Sequence, residues 1–338
     1  MEFVGSHILS VSQFDRASID KIFSVADAMQ PYANRQKVTR VLEGAILGSM
    51  FFEPSTRTRV SFGSAFNLLG GEVRETTEIK ASSISKGESF YDTARVLSGY
   101  SDVIVMRHAI EGSVDEFSAA SRVPVLNGGD GANEHPSQAL LDLYTIKKEL
   151  RGQGKSIDNM QIALIGDLRY GRAVHSLCRL LSLYKEIQFI LISPPELALP
   201  QSYIDEMLAA GHNVVQSNDL QNGVKGADIL YLTRTQEERF PSLKEAEKYK
   251  GLFRLNQSIY TEFCEPNTVI MHPLPRDSRG DANELDNDLN ENPNLAIFRQ
   301  TDNGVVVRMA IFALVLDVVD LVDKYARGVN WYTAKRFL

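Results

Sequence analysis

Cysteine is nearly missing from this chain: Cys178 and Cys264 are the two among 338 residues. Neither sits in a CxxC pair or a Cys/His cluster, so no zinc or other metal site is expected. Cys178 falls within a helical apolar pattern and is expected as a buried thiol. Sparse cysteine points to a reducing, cytoplasmic setting. An excess of positive charge is also missing. The net charge is −7, and no block of like charges occurs, which argues against a nucleic-acid partner. The opening Met1-Glu2-Phe3-Val4-Gly5-Ser6 lacks a basic stretch followed by an apolar core, so no signal peptide is expected. The most apolar late run, 309–316, is flanked by Arg308 and Asp317 and is far too short to span a bilayer. Internal repeats and low-complexity tracts are absent. So is a dinucleotide G-x-G-x-x-G loop: around Gly166, the bulky Leu168 and Tyr170 stand where permissive residues are needed.

What is present is an alternation of apolar strand-like runs and helical patterns. In the first half strands are expected at 45–52, 72–76, 102–107 and 123–127, with helices opening near Thr56, Glu88 and Ser113. A longer helix at 135–150 has Leu140, Leu143, Tyr144 and Lys147 on one side, and a polar Gly-rich connector follows at 151–156. The second half repeats the alternation, with strands at 161–166, 186–192, 213–216, 228–232 and 268–272 and helices at 172–183 and 203–210. Such alternation predicts parallel sheets covered on both faces. The fold class expected is therefore α/β: two doubly wound parallel-sheet domains facing across a cleft, 1–150 and 151–304. They are joined by the connecting helix and by a C-terminal helix at 305–325 that packs back. The charged stretch 233–251 reads equally as a mobile loop over the cleft or as a solvated surface loop.

Open α/β sheets bind ligands beyond the carboxyl ends of their strands. The polar clusters of this sequence fall there. Ser55-Thr56-Arg57-Thr58-Arg59 follows an apolar strand and the breakers Glu53-Pro54, and it opens a helix. Free N–H groups, the helix dipole, hydroxyls and a guanidinium converge there, which suits a phosphate; an ordinary Ser N-cap with solvated arginines is the plainer alternative. Arg107 ends a buried strand. His135 precedes Pro136 and so marks a helix start, with Gln138 one turn on. Ser82 and Lys86 lie in a hydroxyl-rich loop. Arg172 opens a helix after the Gly166 strand, Thr233-Arg234-Thr235-Gln236 follows another strand, and His272-Pro273-Leu274-Pro275-Arg276 follows the last. The prolines there leave carbonyls free to accept.

These residues resemble the aspartate/ornithine carbamoyltransferase family over nearly the whole length. Ser-Thr-Arg-Thr-Arg and His-Pro-Ser-Gln are shared by the family. Thr-Arg-Thr-Gln and His-Pro-Leu-Pro-Arg resemble the aspartate-using branch; the ornithine branch carries a His-Cys-Leu-Pro turn and a Ser-Met-Gly loop, and neither occurs here. The resemblance implies carbamoyl transfer from carbamoyl phosphate to L-aspartate in pyrimidine biosynthesis, with no cofactor. It makes 1–150 the carbamoyl-phosphate domain and 151–304 the aspartate domain. Ser55, Thr56, Arg57 and Thr58 would hold phosphate. Arg107 would touch phosphate and the carbonyl oxygen, to which Thr58 and His135 also donate. Gln138 and the carbonyls of Pro273 and Leu274 would hold the carbamoyl NH2. Arg172, Arg234 and Gln236 would bind aspartate. Ser82 and Lys86 would reach a neighbouring subunit's site, implying a homotrimer, with regulatory or other pathway subunits left open. Glu53, Glu238 and Arg239 would bridge the domains or brace Arg234. Two departures stand out: Ala173 replaces a threonine common in the family, and 277–285 leaves the usual pattern. An ornithine-type acceptor, a nicotinamide dehydrogenase and a non-catalytic subunit are the rival readings. Two strand-end arginines, the missing glycine loop and the retained phosphate residues respectively count against them.

Overall fold

The computed structural model describes residues 1–76, 87–277 and 279–334. The elements run α1 (Arg16–Ala33), β1 (Lys37–Thr39), β2 (Ile46–Phe51), α2 (Thr56–Leu68), β3 (Glu72–Thr76), α3 (Phe90–Leu97), β4 (Val103–His108), α4 (Ser113–Ala120), β5 (Val125–Asp130) and α5 (Pro136–Gly152). They continue with β6 (Gln161–Gly166), α6 (Arg172–Leu181), β7 (Gln188–Ile192), α7 (Gln201–Ala209), β8 (Asn213–Ser217), α8 (Leu220–Gly223), β9 (Ile229–Thr233), α9 (Leu243–Ala246), α10 (Gln257–Phe263), β10 (Val269–Met271), α11 (Ile297–Val315) and β11 (Ala326–Gly328).

Two compact units result: Met1–Leu141 with Asp302–Leu338, and Asp142–Thr301. The division falls inside α5, which runs unbroken from Pro136 to Gly152.

Among the described residues the first unit holds a parallel sheet in the order β3-β2-β4-β5, and β1 pairs antiparallel with β11. The strand run Val103–Met106 is wholly buried, as a parallel sheet covered on both faces requires. Phe62 and Phe66 of α2 meet Phe312 of α11 edge-on, with ring centroids 6.0 and 5.0 Å apart. The second unit holds a parallel sheet in the order β10-β9-β6-β7-β8. Its core gathers Ile165, Ile192, Leu230, Leu232 and Ile270 with Leu255 and Leu289. Each such aliphatic side chain contributes about 1.5–3 kcal/mol by leaving water.

Two expectations are corrected. β5 runs to Asp130, through residues whose composition suggests a loop, and its ladder with β4 shifts between Met106 and His108. A β-carbon at Gly128 would fit tightly there, 3.3 Å from the Met106 carbonyl oxygen. The C-terminal helix spans Ile297–Val315 rather than 305–325. It passes through Gly304, where a β-carbon would meet Arg308 at 2.7 Å. It stops because Asp317 adopts a positive φ of 54° and the Val318 N–H turns back to the Ala313 carbonyl at 2.9 Å, a Schellman-type ending.

Candidate active site

In the first unit the carboxyl ends of three adjacent strands carry the phosphate-type residues. β2 leads through Glu53-Pro54 into α2, whose N-cap is Ser55. The Ser55 side chain makes no capping hydrogen bond, so its hydroxyl is not spent on its own helix, as the plainer N-cap reading required. Thr56 and Arg57 are exposed and Thr58 half-buried in the first turn, beside the N–H groups that the helix geometry leaves without intrahelical partners. Arg59 pairs with Glu75 on β3.

Arg107 stands opposite Phe51 in the β2–β4 ladder. It is 8% exposed, and its Nη2 lies 2.9 Å from Glu53 Oε2 while Nη1 donates to the Gly128 carbonyl at 3.3 Å. A guanidinium so held is fixed in direction. Glu53 thus acts within this unit as the partner of Arg107. After β5, Glu134 donates its N–H to Asp130 Oδ1 at 3.1 Å, which shapes the turn into α5. His135 is buried and Gln138 half-buried at the start of that helix. His108, one residue beyond Arg107, accepts the Ile110 N–H on Nδ1 at 3.1 Å; burial pushes its pKa below the usual histidine value. Ser82 and Lys86 lie outside the described residues.

In the second unit the neighbouring ends of β6, β9 and β10 carry the remaining residues. Asp167, directly after β6, is 1% exposed. Its Oδ1 accepts the Tyr170 N–H at 3.0 Å and its Oδ2 the Gln236 N–H at 2.9 Å. One carboxylate therefore ties the loop leading to Arg172 to the loop bearing Arg234 and Gln236. Burial pushes its pKa up, opposed by these N–H bonds and by Arg234 nearby. Arg172 opens α6 after Gly171, and Arg234 donates to the Thr235 carbonyl at 2.9 Å. Both arginines are half-buried, as are Gln236 and Arg239. A small hollow at these strand ends is lined by Gly166, Asp167, Thr233, Thr235 and Glu284 among others.

The stretch 233–251 forms short helical turns. Phe240 packs against Tyr170 and Tyr249, with ring centroids 5.2 and 5.9 Å apart. Glu237 there pairs with Arg279 and, at 3.2 Å, with Lys250, so the unusual segment after the proline turn anchors this loop. The side chain of Glu238 lies outside the described residues. Asp167, Glu237 and Glu284 are not singled out by the sequence. The one local signal is for Asp167, an acidic residue following a glycine at a strand end.

Among the described residues no group of three or more His, Cys, Asp or Glu is arranged to hold a metal ion, and no helix is long and apolar enough to cross a membrane.

Fold and site define a class: an α/β protein of parallel sheets that carries cationic and hydroxyl side chains at its strand ends. The match to known proteins narrows it. The aspartate/ornithine carbamoyltransferase carbamoyl-P binding domain matches residues 6–148, and the Asp/Orn binding domain of the same family matches 158–315. The aspartate carbamoyltransferase catalytic subunit of Saccharophagus degradans is 72% identical over 337 residues, covering 100% of both chains. That of Cellvibrio japonicus is 68% identical, covering 99% of both. A Trypanosoma cruzi aspartate transcarbamoylase solved with aspartate and phosphate superposes with a TM-score of 0.83 at 38% identity, covering 93% of this chain and 96% of that one. The chain belongs to the aspartate/ornithine carbamoyltransferase family.

Proposed function

We propose that this protein transfers the carbamoyl group of carbamoyl phosphate to the amine of L-aspartate, giving N-carbamoyl-L-aspartate and phosphate for pyrimidine synthesis. The observation that carries the reading is full-length identity of 72% to an aspartate carbamoyltransferase catalytic subunit. The Trypanosoma cruzi relative binds carbamoyl phosphate, aspartate and N-(phosphonacetyl)-L-aspartic acid. Arg172 and Arg234, tied to one framework by Asp167, favour a dicarboxylate over a diamino acid, which would call for acidic partners.

The neutral amine of aspartate attacks the carbonyl carbon, a tetrahedral oxyanion forms, and the C–O bond to phosphate breaks. The departing phosphate takes the amine proton. No side-chain nucleophile is required, so catalysis is positioning plus charge stabilisation. Ser55, Thr56, Arg57 and Thr58 take the phosphate, with Ser82 and Lys86 adding to it. Arg107, Thr58 and His135 donate to the developing oxyanion; Gln138 and the carbonyls of Pro273 and Leu274 accept from the carbamoyl NH2. Arg172, Arg234, Gln236 and Lys86 take aspartate. Glu238 and Arg239 brace Arg234. The working assembly is a homotrimer in the cytoplasm, in which Ser82 and Lys86 serve the neighbouring copy. Regulatory or other pathway subunits would be further partners of that trimer.

A colorimetric assay for carbamoyl-aspartate tests the reaction, run with ornithine as the competing acceptor. Turnover with aspartate, none with ornithine, and inhibition by the phosphonate bisubstrate compound are expected. Absence of carbamoyl-aspartate would overturn the reading.

A further inference from the structure

The turn after β10 is held from behind by buried polar groups to which the roles above give no work. The Leu274 N–H donates to Nδ1 of His272 at 2.8 Å. That nitrogen therefore carries no proton, and the imidazole N–H sits on Nε2, which donates to Glu284 Oε1 at 2.7 Å. The same carboxylate accepts the Asp277 N–H at 3.1 and 3.3 Å from its two oxygens. Glu284 thus grips the chain on both sides of Pro273-Leu274-Pro275. Further back, the His272 N–H donates to Gln300 Oε1 at 3.0 Å, and Gln300 Nε2 donates to Asp142 Oδ1 at 2.6 Å. Asp142 Oδ2 accepts the Tyr231 hydroxyl at 2.7 Å. Asp142, Tyr231, His272 and Gln300 are each 0–1% exposed, and all these residues belong to the second unit.

Leu274 has a φ of 55°, a left-handed conformation that a residue with a β-carbon keeps only when its surroundings hold it there. Its flanking prolines have no N–H, so the Leu274 N–H is the turn's own backbone donor. Its bond to the imidazole fixes the direction of the peptide unit that bears the Pro273 carbonyl, and the Leu274 φ of 55° relates that unit to the next, which bears the Leu274 carbonyl. Which imidazole nitrogen is free to accept is set by the group facing the other, and that group is Glu284.

We propose that His272 and Glu284 are positioning residues for the carbamoyl group. By fixing the imidazole tautomer, Glu284 keeps Nδ1 available to Leu274, and the pair thereby aims the two carbonyls at the carbamoyl NH2. The proposal rests on the carbamoyl-transfer reading for what sits at those carbonyls.

The test compares His272→Gln, which keeps an amide facing Glu284 but removes the acceptor for Leu274, with His272→Asn, which keeps an acceptor near Nδ1. Glu284→Ala is paired in the same way with Glu284→Gln, which keeps an oxygen for both N–H groups. The full chain is used, with KM and kcat for carbamoyl phosphate, inhibition by inorganic phosphate and thermal midpoint measured together. His272→Gln and Glu284→Ala are expected to lose about 10²-fold in kcat/KM for carbamoyl phosphate, the scale of a small misplacement. Inhibition by phosphate, which has no NH2, should stay at the wild-type level. His272→Asn and Glu284→Gln should recover much of the loss. Equal losses in both members of each pair, following the thermal midpoint, would reduce the network to fold support and overturn the proposal. So would wild-type kcat/KM in His272→Gln. A wild-type chain unable to carbamoylate aspartate would overturn the underlying reaction instead, whatever the variants did.

Discussion

Arg57 and Arg59 are two residues apart on one helix and differ in exposure. Arg59 is half-buried and pairs with Glu75; Arg57 lies exposed in the first turn of α2, next to Ser55 at the proposed phosphate site. Replacing so exposed a residue should cost activity far more than stability. Each charge-assisted bond to phosphate is worth about 1.5–3 kcal/mol, so Arg57→Ala is expected to lower kcat/KM by about a hundredfold or more. Its thermal midpoint should stay at the wild-type value, checked by steady-state kinetics beside a melting curve. Asp302 behaves in the contrary way. Burial raises its carboxyl pKa from 3.8 to about 6. Between these values the folded chain holds a proton that the unfolded chain has lost, so stability falls as pH rises from about 4 through 6. Asp302→Asn should raise the thermal midpoint at pH 8, and the gain should fade below about pH 4. A pH series of melting curves on both chains reads this out.

At the scale of elements, strand ends matter more than strand interiors. Gly166 closes β6 with a φ of 110°, and a β-carbon there would lie 2.2 Å from the Thr233 carbonyl oxygen on β9. Gly166→Ala must either push the central strands β6 and β9 apart or move the loop that Asp167 ties to Gln236. The expected loss is about 1–3 kcal/mol of stability, measured by urea unfolding, together with a raised KM for aspartate. Elements legible in the sequence are those with an unbroken apolar run or a breaker at the boundary: β2, β4, β6 and the start of α2. The helix α1 escapes such a reading, although Asp15 and Ser18 cap it reciprocally. β1 and β11 are three residues each, too short for a periodic signal, and exist through pairing with each other. The end of α11 is hidden for a related reason. The apolar stripe continues past Val315, but Asp317 turns the chain.

At the scale of the molecule, the first unit is discontinuous in sequence. Val306, Val307, Met309, Ile311, Phe312 and Leu314 of α11 are at most 4% exposed. Removing them gives up about 10 kcal/mol or more of burial, comparable with the whole stability of a domain. A chain ending at Thr301 should therefore leave residues 1–141 open to limited proteolysis, whereas residues 142–301 keep their protection. Intact resistance of the first segment would contradict this. The tail adds local ties: Tyr32 donates to Asp323 Oδ1 at 2.6 Å, and Thr39 Oγ1 to the Val322 carbonyl at 2.9 Å.

By itself the sequence determined the α/β class, the family and the strand-end residues proposed to meet substrate, because these depend on runs and motifs contiguous in the chain. Tertiary structure decided how those residues are held. Asp167 reaches Gln236, Glu53 turns Arg107, and His272 joins Glu284 on one side and Gln300 on the other. Such bonds link residues far apart along the chain, and a carboxylate becomes a fixed acceptor only once folding has removed its water and brought the distant N–H within reach.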